Sequence, residues 1–207
     1  VVEMKQFTQK KQNVTILPRN RNQEQYILKL LEPTKDIVFG IGPAGTGKTL
    51  LAVQVAVKLF KEGKVDKIIV TRPAVSVDED LGHLPGTLEE KMAPWTRPIF
   101  DVLRDYFNAR EIEGMITEGV IEIAPLAYMR GRTFKHSFIL ADEMQNATPN
   151  QMKMLLTRVG EGCKMIITGD PKQHDRKYED NGLKDIWSRL EGKHHKRIEC
   201  ITFDFAD

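Results

Sequence analysis

The chain has 207 residues, of which 41% are hydrophobic and 29% charged, an ordinary composition for one compact domain. No apolar run approaches the roughly 20 residues that cross a bilayer, and the N-terminus lacks a signal-peptide pattern. A cytoplasmic protein without a membrane partner is therefore the expectation. The two cysteines, Cys163 and Cys200, stand apart, so neither a zinc site nor a disulfide framework is indicated.

The formal net charge is only +2, but the basic residues are unevenly placed. They concentrate in an N-terminal arm, assigned to residues 1–21, in residues 193–197, and between Arg130 and Lys135. Such patches suit a polyanionic partner, although each patch alone is equally compatible with a solvated surface.

Short β-branched runs alternate with segments of helical period over residues 22–207, which predicts a single α/β domain. Its mostly parallel sheet is expected to carry helices on both faces. Residues 73–96 contain too many prolines and glycines for a long regular element, so an ordered surface excursion is predicted there. Strands are predicted at residues 37–41, 67–71, 120–124, 137–141, 164–168 and 198–203, and helices at 22–31, 48–61, 94–106, 148–159 and 183–190.

A glycine-rich loop, GPAGTGKT, follows the first predicted strand and precedes a helix, as the phosphate-binding pattern GxxxxGK[ST] requires. The glycines let backbone amides turn toward phosphate oxygens at the positive end of the helix. The lysine is expected to reach the β- and γ-phosphates, and the threonine hydroxyl to bind Mg²⁺. The predicted nucleotide-binding residues are Gly42, Pro43, Ala44, Gly45, Thr46, Gly47, Lys48 and Thr49.

Two further strands end in polar residues. Asp142 and Glu143 follow the strand at 137–141, where Asp142 is expected to hold Mg²⁺ and Glu143 to activate a water for attack on the γ-phosphate. Gln173 follows the strand at 164–168, and its amide could sense the γ-phosphate, although a plain turn would also fit. Because ligands of open α/β sheets bind at the carboxyl ends of strands, these elements are expected to converge.

The motifs GPAGTGKT, LADEMQN and GDPKQ occur in the order found in the PhoH-like family, which the chain resembles over residues 22–205. TRPAV at 71–75, LGHLPG at 81–86, RGRTF at 130–134 and NGL at 181–183 add to the resemblance. The resemblance implies a RecA-like P-loop NTPase similar to the first motor domain of superfamily 1 helicases. It also implies the use of ATP and Mg²⁺ and an RNA-related activity. By the same resemblance, Gln23 would read the adenine edge, the alternative being a solvent-facing helix residue.

Arg130 and Arg132 are candidates for contact with phosphate, either on a nucleic-acid backbone or on the ATP of a neighbouring subunit. A surface ion pair at a strand connection is the alternative. Members of the family usually continue past the last strand with an arginine-bearing segment. The sequence to Asp207 therefore leaves open whether the site is complete and where such an arginine comes from.

The leading functional hypothesis is ATP hydrolysis coupled to RNA or single-stranded nucleic acid. Since helicases close two motor domains around ATP, copies of this chain are expected to pack head to tail, as a ring such as a hexamer. A small-molecule kinase and a nucleotide-regulated RNA-binding module with little turnover are the alternatives. The sequence does not indicate the biological process, the preference between RNA and DNA, or whether strands are unwound.

Overall fold

Six parallel strands form one sheet in the computed structural model, which describes residues 13–73, 88–173 and 181–207. The strands are β1 Ile37–Ile41, β2 Lys67–Arg72, β3 Ile121–Pro125, β4 Ser137–Ala141, β5 Lys164–Gly169 and β6 Ile198–Thr202. The helices are α1 Arg21–Leu31, α2 Lys48–Lys61, α3 Leu88–Tyr106, α4 Ala109–Thr117, α5 Pro149–Leu156 and α6 Gly182–Leu190. Short 3₁₀ turns at Leu126–Met129 and Met144–Asn146 complete the described elements.

The strand order is β3-β2-β4-β5-β1-β6, so β5 separates β1 from β4. In register, Ile41 of β1 lies beside Gly169 of β5, and Ala141 of β4 lies beside Ile167 of β5. The carboxyl ends of these three strands therefore meet at one edge of the sheet, as ligand sites in open α/β sheets require.

Alternate side chains of each strand enter two separate cores, as the pleat of a strand dictates. On β4, Phe138 and Leu140 pack with the helices α1 to α4, whereas Ile139 and Ala141 pack with α5 and α6. All five residues of β4 are buried, as expected for a central strand covered on both faces. The predicted α/β sheet with helices on both faces is confirmed, and all six strands match their predicted positions to within one residue at each end.

Helix α3 corrects the prediction of a surface excursion over residues 73–96. The helix begins at Leu88 rather than at residue 94 and continues through Pro94 and Pro98. Each interior proline removes a backbone donor and costs about 3 kcal/mol. Burial of an apolar face that includes Ile99 and Leu103 offsets that cost. Residues 74–87 of the predicted excursion lie outside the described residues.

Helix α4 was missed by the sequence analysis because it is short and contains Gly114. A capping signal was nevertheless present. The side chain of Asn108 accepts a hydrogen bond from Glu111 N at 2.8 Å, and Asn108 Nδ2 donates to Glu111 Oε1 at 2.9 Å. Ile112 anchors the helix in the core.

Helix α5 is shorter than the predicted range of 148–159. Thr148 is its N-cap and forms a reciprocal capping box with Gln151, while Thr157 ends it. Val159 instead forms a parallel bridge with Phe134, which commits its backbone to an extended conformation. Within the described ranges, no helix has the length and apolar character needed to cross a bilayer.

Residues 1–12 of the predicted arm lie outside the described residues. Within the remainder of the arm, Val14 is buried against the core on the α1 face.

A buried lysine on β5 holds the end of α1. Lys164 Nζ donates to the carbonyl oxygens of Glu32 at 2.7 Å and Lys29 at 3.4 Å, and also to that of Lys35. The carbonyl oxygens of Lys29 and Glu32 also accept from Glu32 N at 3.3 Å and Lys35 N at 3.2 Å, so the ammonium adds a second donor to each and joins the end of α1 to β5.

We predict that Lys164→Met destabilises the domain by about 1–3 kcal/mol, because the buried carbonyl oxygen of Lys35 loses its donor and those of Lys29 and Glu32 lose one of two. Urea unfolding at pH 7 measures this loss. Lys153→Met is the matched control, since Lys153 is exposed on α5 and its replacement should change the free energy of unfolding by less than about 0.5 kcal/mol. Equal stability of the two variants would contradict this role of Lys164.

Candidate nucleotide-binding site

A cleft of about 450 Å³ opens where β1, β4 and β5 end. It brings together most of the residues predicted from sequence, which come from four separate stretches of the chain. Those that line it are Gln23, Gly42, Ala44, Gly45, Gly47, Lys48, Thr49, Asp142, Glu143 and Gln173. Leu17, Arg19, Leu50, Leu51, Gln54, Gly169, Asp170 and Asp207 complete the lining.

The phosphate-binding loop needs its glycines for two different reasons. Gly45 and Gly47 have φ values of 83° and 82°, in the left-handed region that other residues rarely adopt. Gly42 is also limited by space, because a Cβ atom there would lie 2.6 Å from the carbonyl oxygen of Phe203. Any side chain at position 42 would therefore displace either the loop or the chain that follows β6.

The Lys48 side chain folds back onto the loop that precedes it. Its Nζ donates to the carbonyl oxygens of Gly42 at 2.8 Å and Pro43 at 2.5 Å, and to Thr46 Oγ1 at 3.0 Å. Burial lowers the pKa of Lys48 below its ordinary value, while the negative charge of Asp142 opposes that shift. The ammonium thus lies within the loop, held by oxygen acceptors that it would have to leave in order to contact a phosphate.

The carboxylate of Asp142 connects three segments of the site. Its Oδ1 accepts hydrogen bonds from Thr49 Oγ1 at 3.1 Å, Thr168 Oγ1 at 2.7 Å and Glu143 N at 3.0 Å. Thr49 belongs to α2, Thr168 to β5, and Glu143 follows β4. A single oxygen therefore holds α2, β5 and the carboxyl end of β4 together.

The donor set at this point fits Mg²⁺. A hydroxyl and a carboxylate, Thr49 Oγ1 and Asp142 Oδ1, lie 3.1 Å apart beside the loop, and hard oxygen ligands of this kind suit magnesium. One carboxylate with one hydroxyl leaves room for the waters and phosphate oxygens that Mg²⁺ retains.

Glu143 has an unusual backbone conformation with φ 54° and ψ 38°, which costs a non-glycine residue on the order of 1–3 kcal/mol. Its side chain is held by Gln145, whose Nε2 donates to Glu143 Oε2 at 2.5 Å. The other end of the same amide, Gln145 Oε1, accepts from Asp170 N at 3.2 Å. Gln145, only 2% exposed, therefore links the acidic strand end to the loop after β5.

Gln173 lines the cleft at the end of that loop, and its side chain is exposed. A tight turn shapes the loop, because Gln173 N donates to Asp170 O at 3.0 Å and Lys172 N to Asp170 Oδ1 at 3.0 Å. The structure thus places Gln173 at the cleft on a turn, and its role as a γ-phosphate sensor stays a prediction.

Gln23 is buried against the phosphate-binding loop, not solvent-facing. Its Nε2 donates to the carbonyl oxygen of Thr46 at 3.0 Å, and its Oε1 accepts from Arg19 N at 2.9 Å. The amide thereby joins the loop to the segment before α1. Leu17, 76% exposed, and Asp207 line the same end of the cleft.

Several residues that shape the site were not selected from the sequence. Tyr26 is fully buried, donates from its hydroxyl to Lys48 O at 2.9 Å and packs edge-on against Phe203. Thr168 and Gln145 were likewise not selected. Thr168 is the last residue of the predicted strand at 164–168, directly before Gly169 and Asp170. This position at a strand end could have identified it as a site residue.

Arg130 and Arg132 do not line the cleft. Arg132 forms a bidentate pair with Glu122, with N–O distances of 2.7 and 2.8 Å, and its guanidinium lies 4.7 Å from the ring centre of Phe134. The hydrogen bond from Arg132 lowers the pKa of the Glu122 carboxyl below its ordinary value. Arg130, two residues before Arg132 in the chain, is exposed.

The glycine-rich loop with its lysine follows β1, and β5 separates β1 from β4, the strand that ends in the acidic pair. This arrangement defines the fold of RecA-like P-loop proteins. The chain belongs to the PhoH-like family, since the family model described as "PhoH-like protein" matches residues 15–207. This membership confirms the resemblance drawn from the sequence motifs.

Curated relatives agree with this assignment. A PhoH-like protein of Bacillus subtilis (strain 168) is 51% identical over 170 residues, which are 82% of this chain and 53% of that protein. Protein PhoH of Escherichia coli (strain K12) is 45% identical over 179 residues, or 85% of this chain and 50% of that protein. The chain thus spans about half the length of these relatives.

Among solved structures, the UvsW helicase from bacteriophage T4 matches with a TM-score of 0.54 at 13% sequence identity. The match covers 91% of this chain and 61% of the helicase chain. At that identity the likeness concerns the fold alone, and it supports the RecA-like architecture.

We predict that Gln23→Ala raises the Kd for ATP about fivefold, because the hydrogen bond of about 1 kcal/mol from Gln23 to the loop carbonyl of Thr46 is lost. Isothermal titration calorimetry measures this change. Gln25→Ala is the matched control, since Gln25 is exposed on the same helix and should leave the Kd unchanged. Equal affinity in both variants would show that Gln23 does not support nucleotide binding.

Proposed function

We propose that this chain binds ATP with Mg²⁺ and hydrolyses it. The observation that carries the proposal is the Asp142–Glu143 pair, which lines the same cleft as Lys48 and the loop glycines. Asp142 is tied to Thr49, whereas the Glu143 carboxylate extends beyond that contact and is held by a neutral amide. A carboxylate that is not committed to the metal position is what water activation requires.

Phosphate binding falls to the loop in this proposal. Lys48 would exchange its contacts with Gly42 O and Pro43 O for oxygens of the β- and γ-phosphates. Thr49 and Asp142 would hold Mg²⁺, which neutralises charge on the phosphate oxygens when it is bound.

Glu143 is the proposed general base of the chemical step. Its carboxylate would accept a proton from a water whose oxygen forms the new bond to the γ-phosphorus. The bond from that phosphorus to the bridging β–γ oxygen breaks, and its electron pair leaves with ADP. The Gln173 amide could accept a hydrogen bond from the water and donate one to the γ-phosphate.

We further propose that turnover is coupled to RNA or single-stranded nucleic acid in the cytoplasm. The family resemblance supports this, as does the fold shared with a phage helicase. Exposed basic residues, including Arg130, Lys135, Lys193 and Lys196, provide charges suited to a phosphate backbone. Aromatic residues are scarce at 7%, which favours contact with the backbone over stacking on bases.

The sequence predicts a basic arm followed by one ATPase domain. The region that the family model matches would then contain one domain of the kind that helicases use in pairs. A second protein surface would then have to cover the open cleft. We propose that another copy of the chain supplies it, in a head-to-tail ring such as a hexamer. Native mass spectrometry with an ATP analogue tests this, and monomers alone at micromolar concentration would contradict it.

We predict that Glu143→Gln retains ATP binding but lowers kcat at least about 100-fold, since the general base is removed while the phosphate contacts remain. Phosphate release and calorimetry measure the two quantities separately. Glu113→Gln, at an exposed position on α4, is the control and should keep full turnover. Full turnover in Glu143→Gln would refute the assigned role.

We predict that single-stranded RNA raises the rate of phosphate release and that its affinity falls steeply between 50 and 200 mM salt. Contacts to backbone phosphates release counterions, so about four contacts to a single strand would weaken binding by roughly 50-fold over that range. Fluorescence anisotropy measures the salt dependence. An ATPase rate that does not respond to RNA would contradict the coupling, whereas negligible turnover in all conditions would favour the nucleotide-regulated binding module.

A further inference from the structure

Arg72 lies at the carboxyl end of β2, the strand beside β4, and faces the acidic strand end from there. Its Nη2 is 4.0 Å from Glu143 Oε1, and its guanidinium carbon lies 5.3 Å from the ring centre of Trp95 on α3. Arg72 Nε is buried and has no hydrogen-bond partner within the described residues. A partly buried cation is thus placed against Glu143 by an aromatic ring.

The second oxygen of Glu143 is held by a different residue, Gln145. Gln145 Nε2 donates to Glu143 Oε2 at 2.5 Å, and Gln145 is itself anchored through Asp170 N. With the left-handed backbone at Glu143, these contacts fix where the carboxylate points. One oxygen accepts from a buried amide, and the other faces a guanidinium.

A carboxylate in this arrangement is a poor general base. One oxygen accepts a hydrogen bond from Gln145 and the other faces the Arg72 guanidinium, whereas a general base needs an oxygen turned toward the attacking water. The two restraints differ in strength. Gln145 is buried and bonded at both ends, whereas Arg72 is at the limit of ion-pair distance, so Arg72 is the contact that can be released.

We propose that Arg72 is a positioning residue that restrains Glu143 in a resting orientation, with Trp95 keeping Arg72 in place. Hydrolysis accelerates when the guanidinium leaves the carboxylate. The inference rests on the proposed role of Glu143 as the base. It extends that role by assigning a function to Arg72, in the TRPAV motif, and to its stacking partner on α3.

Arg72→Gln tests the restraint, because it removes the charge and keeps a polar side chain. We expect kcat for ATP without RNA to rise about three- to tenfold while KM stays unchanged. Arg72→Lys retains the charge and should stay close to the wild-type rate. Trp95→Leu removes the ring that places Arg72 and should raise kcat in the same direction, which provides a second variant if Arg72→Gln folds poorly. Arg189→Gln, on the exposed face of α6, is the control for loss of a surface arginine.

The double variant Arg72→Gln/Glu143→Gln separates this inference from the proposed function. Both hold if Arg72→Gln is faster than wild type and the double variant is inactive. If folded Arg72→Gln and Trp95→Leu turn over at or below the wild-type rate while Glu143→Gln is inactive, the restraint is refuted and the function stands. Full turnover in Glu143→Gln would overturn both.

Discussion

The site depends on one oxygen atom, Asp142 Oδ1, which accepts hydrogen bonds from Thr49, Thr168 and the backbone of Glu143. Each donor belongs to a different segment, so the carboxylate fixes the loop helix, β5 and the end of β4 relative to one another. A charge-assisted hydrogen bond is about twice as strong as a neutral one, and three such bonds on one atom define its position closely. The same atom is the proposed ligand for Mg²⁺, so metal binding would act directly on the contact that holds the site together.

The sheet order makes that contact available. Because β5 lies between β1 and β4, Thr168 reaches Asp142 from the neighbouring strand, and Gly169 O accepts from Gly42 N at 3.1 Å. The central strands are covered on both faces by cores that leave little room for movement. Any movement during catalysis must therefore come from side chains around the edge of the sheet where the strands end. Glu143 and Arg72 are such side chains, Lys48 lies at the start of α2, and each of the three has contacts that a nucleotide could replace or release.

Local sequence patterns predicted the six strands, the phosphate-binding loop and the acidic pair, because each rests on residues adjacent in the chain. Local patterns gave wrong or incomplete predictions where the structure depends on contacts between residues that are distant in the chain. The prolines of α3 argued against a helix, and only its buried face offsets them. The contacts of Gln145 with Asp170, and of Arg132 with Glu122, follow from strand order and register, which no single segment encodes. The sequence therefore identified Arg132 as a candidate but could not show that its partner is Glu122.

The central claim is that the loop, Lys48 and the Asp142–Glu143 pair form one ATP site. A crystal structure of Glu143→Gln with ATP and Mg²⁺ tests it most directly. The account predicts that Lys48 Nζ leaves Gly42 O and Pro43 O and lies within hydrogen-bond distance of the β- and γ-phosphates, with the metal beside Thr49 and Asp142. A nucleotide bound outside this cleft, or a Lys48 that keeps its loop contacts with ATP present, would contradict it.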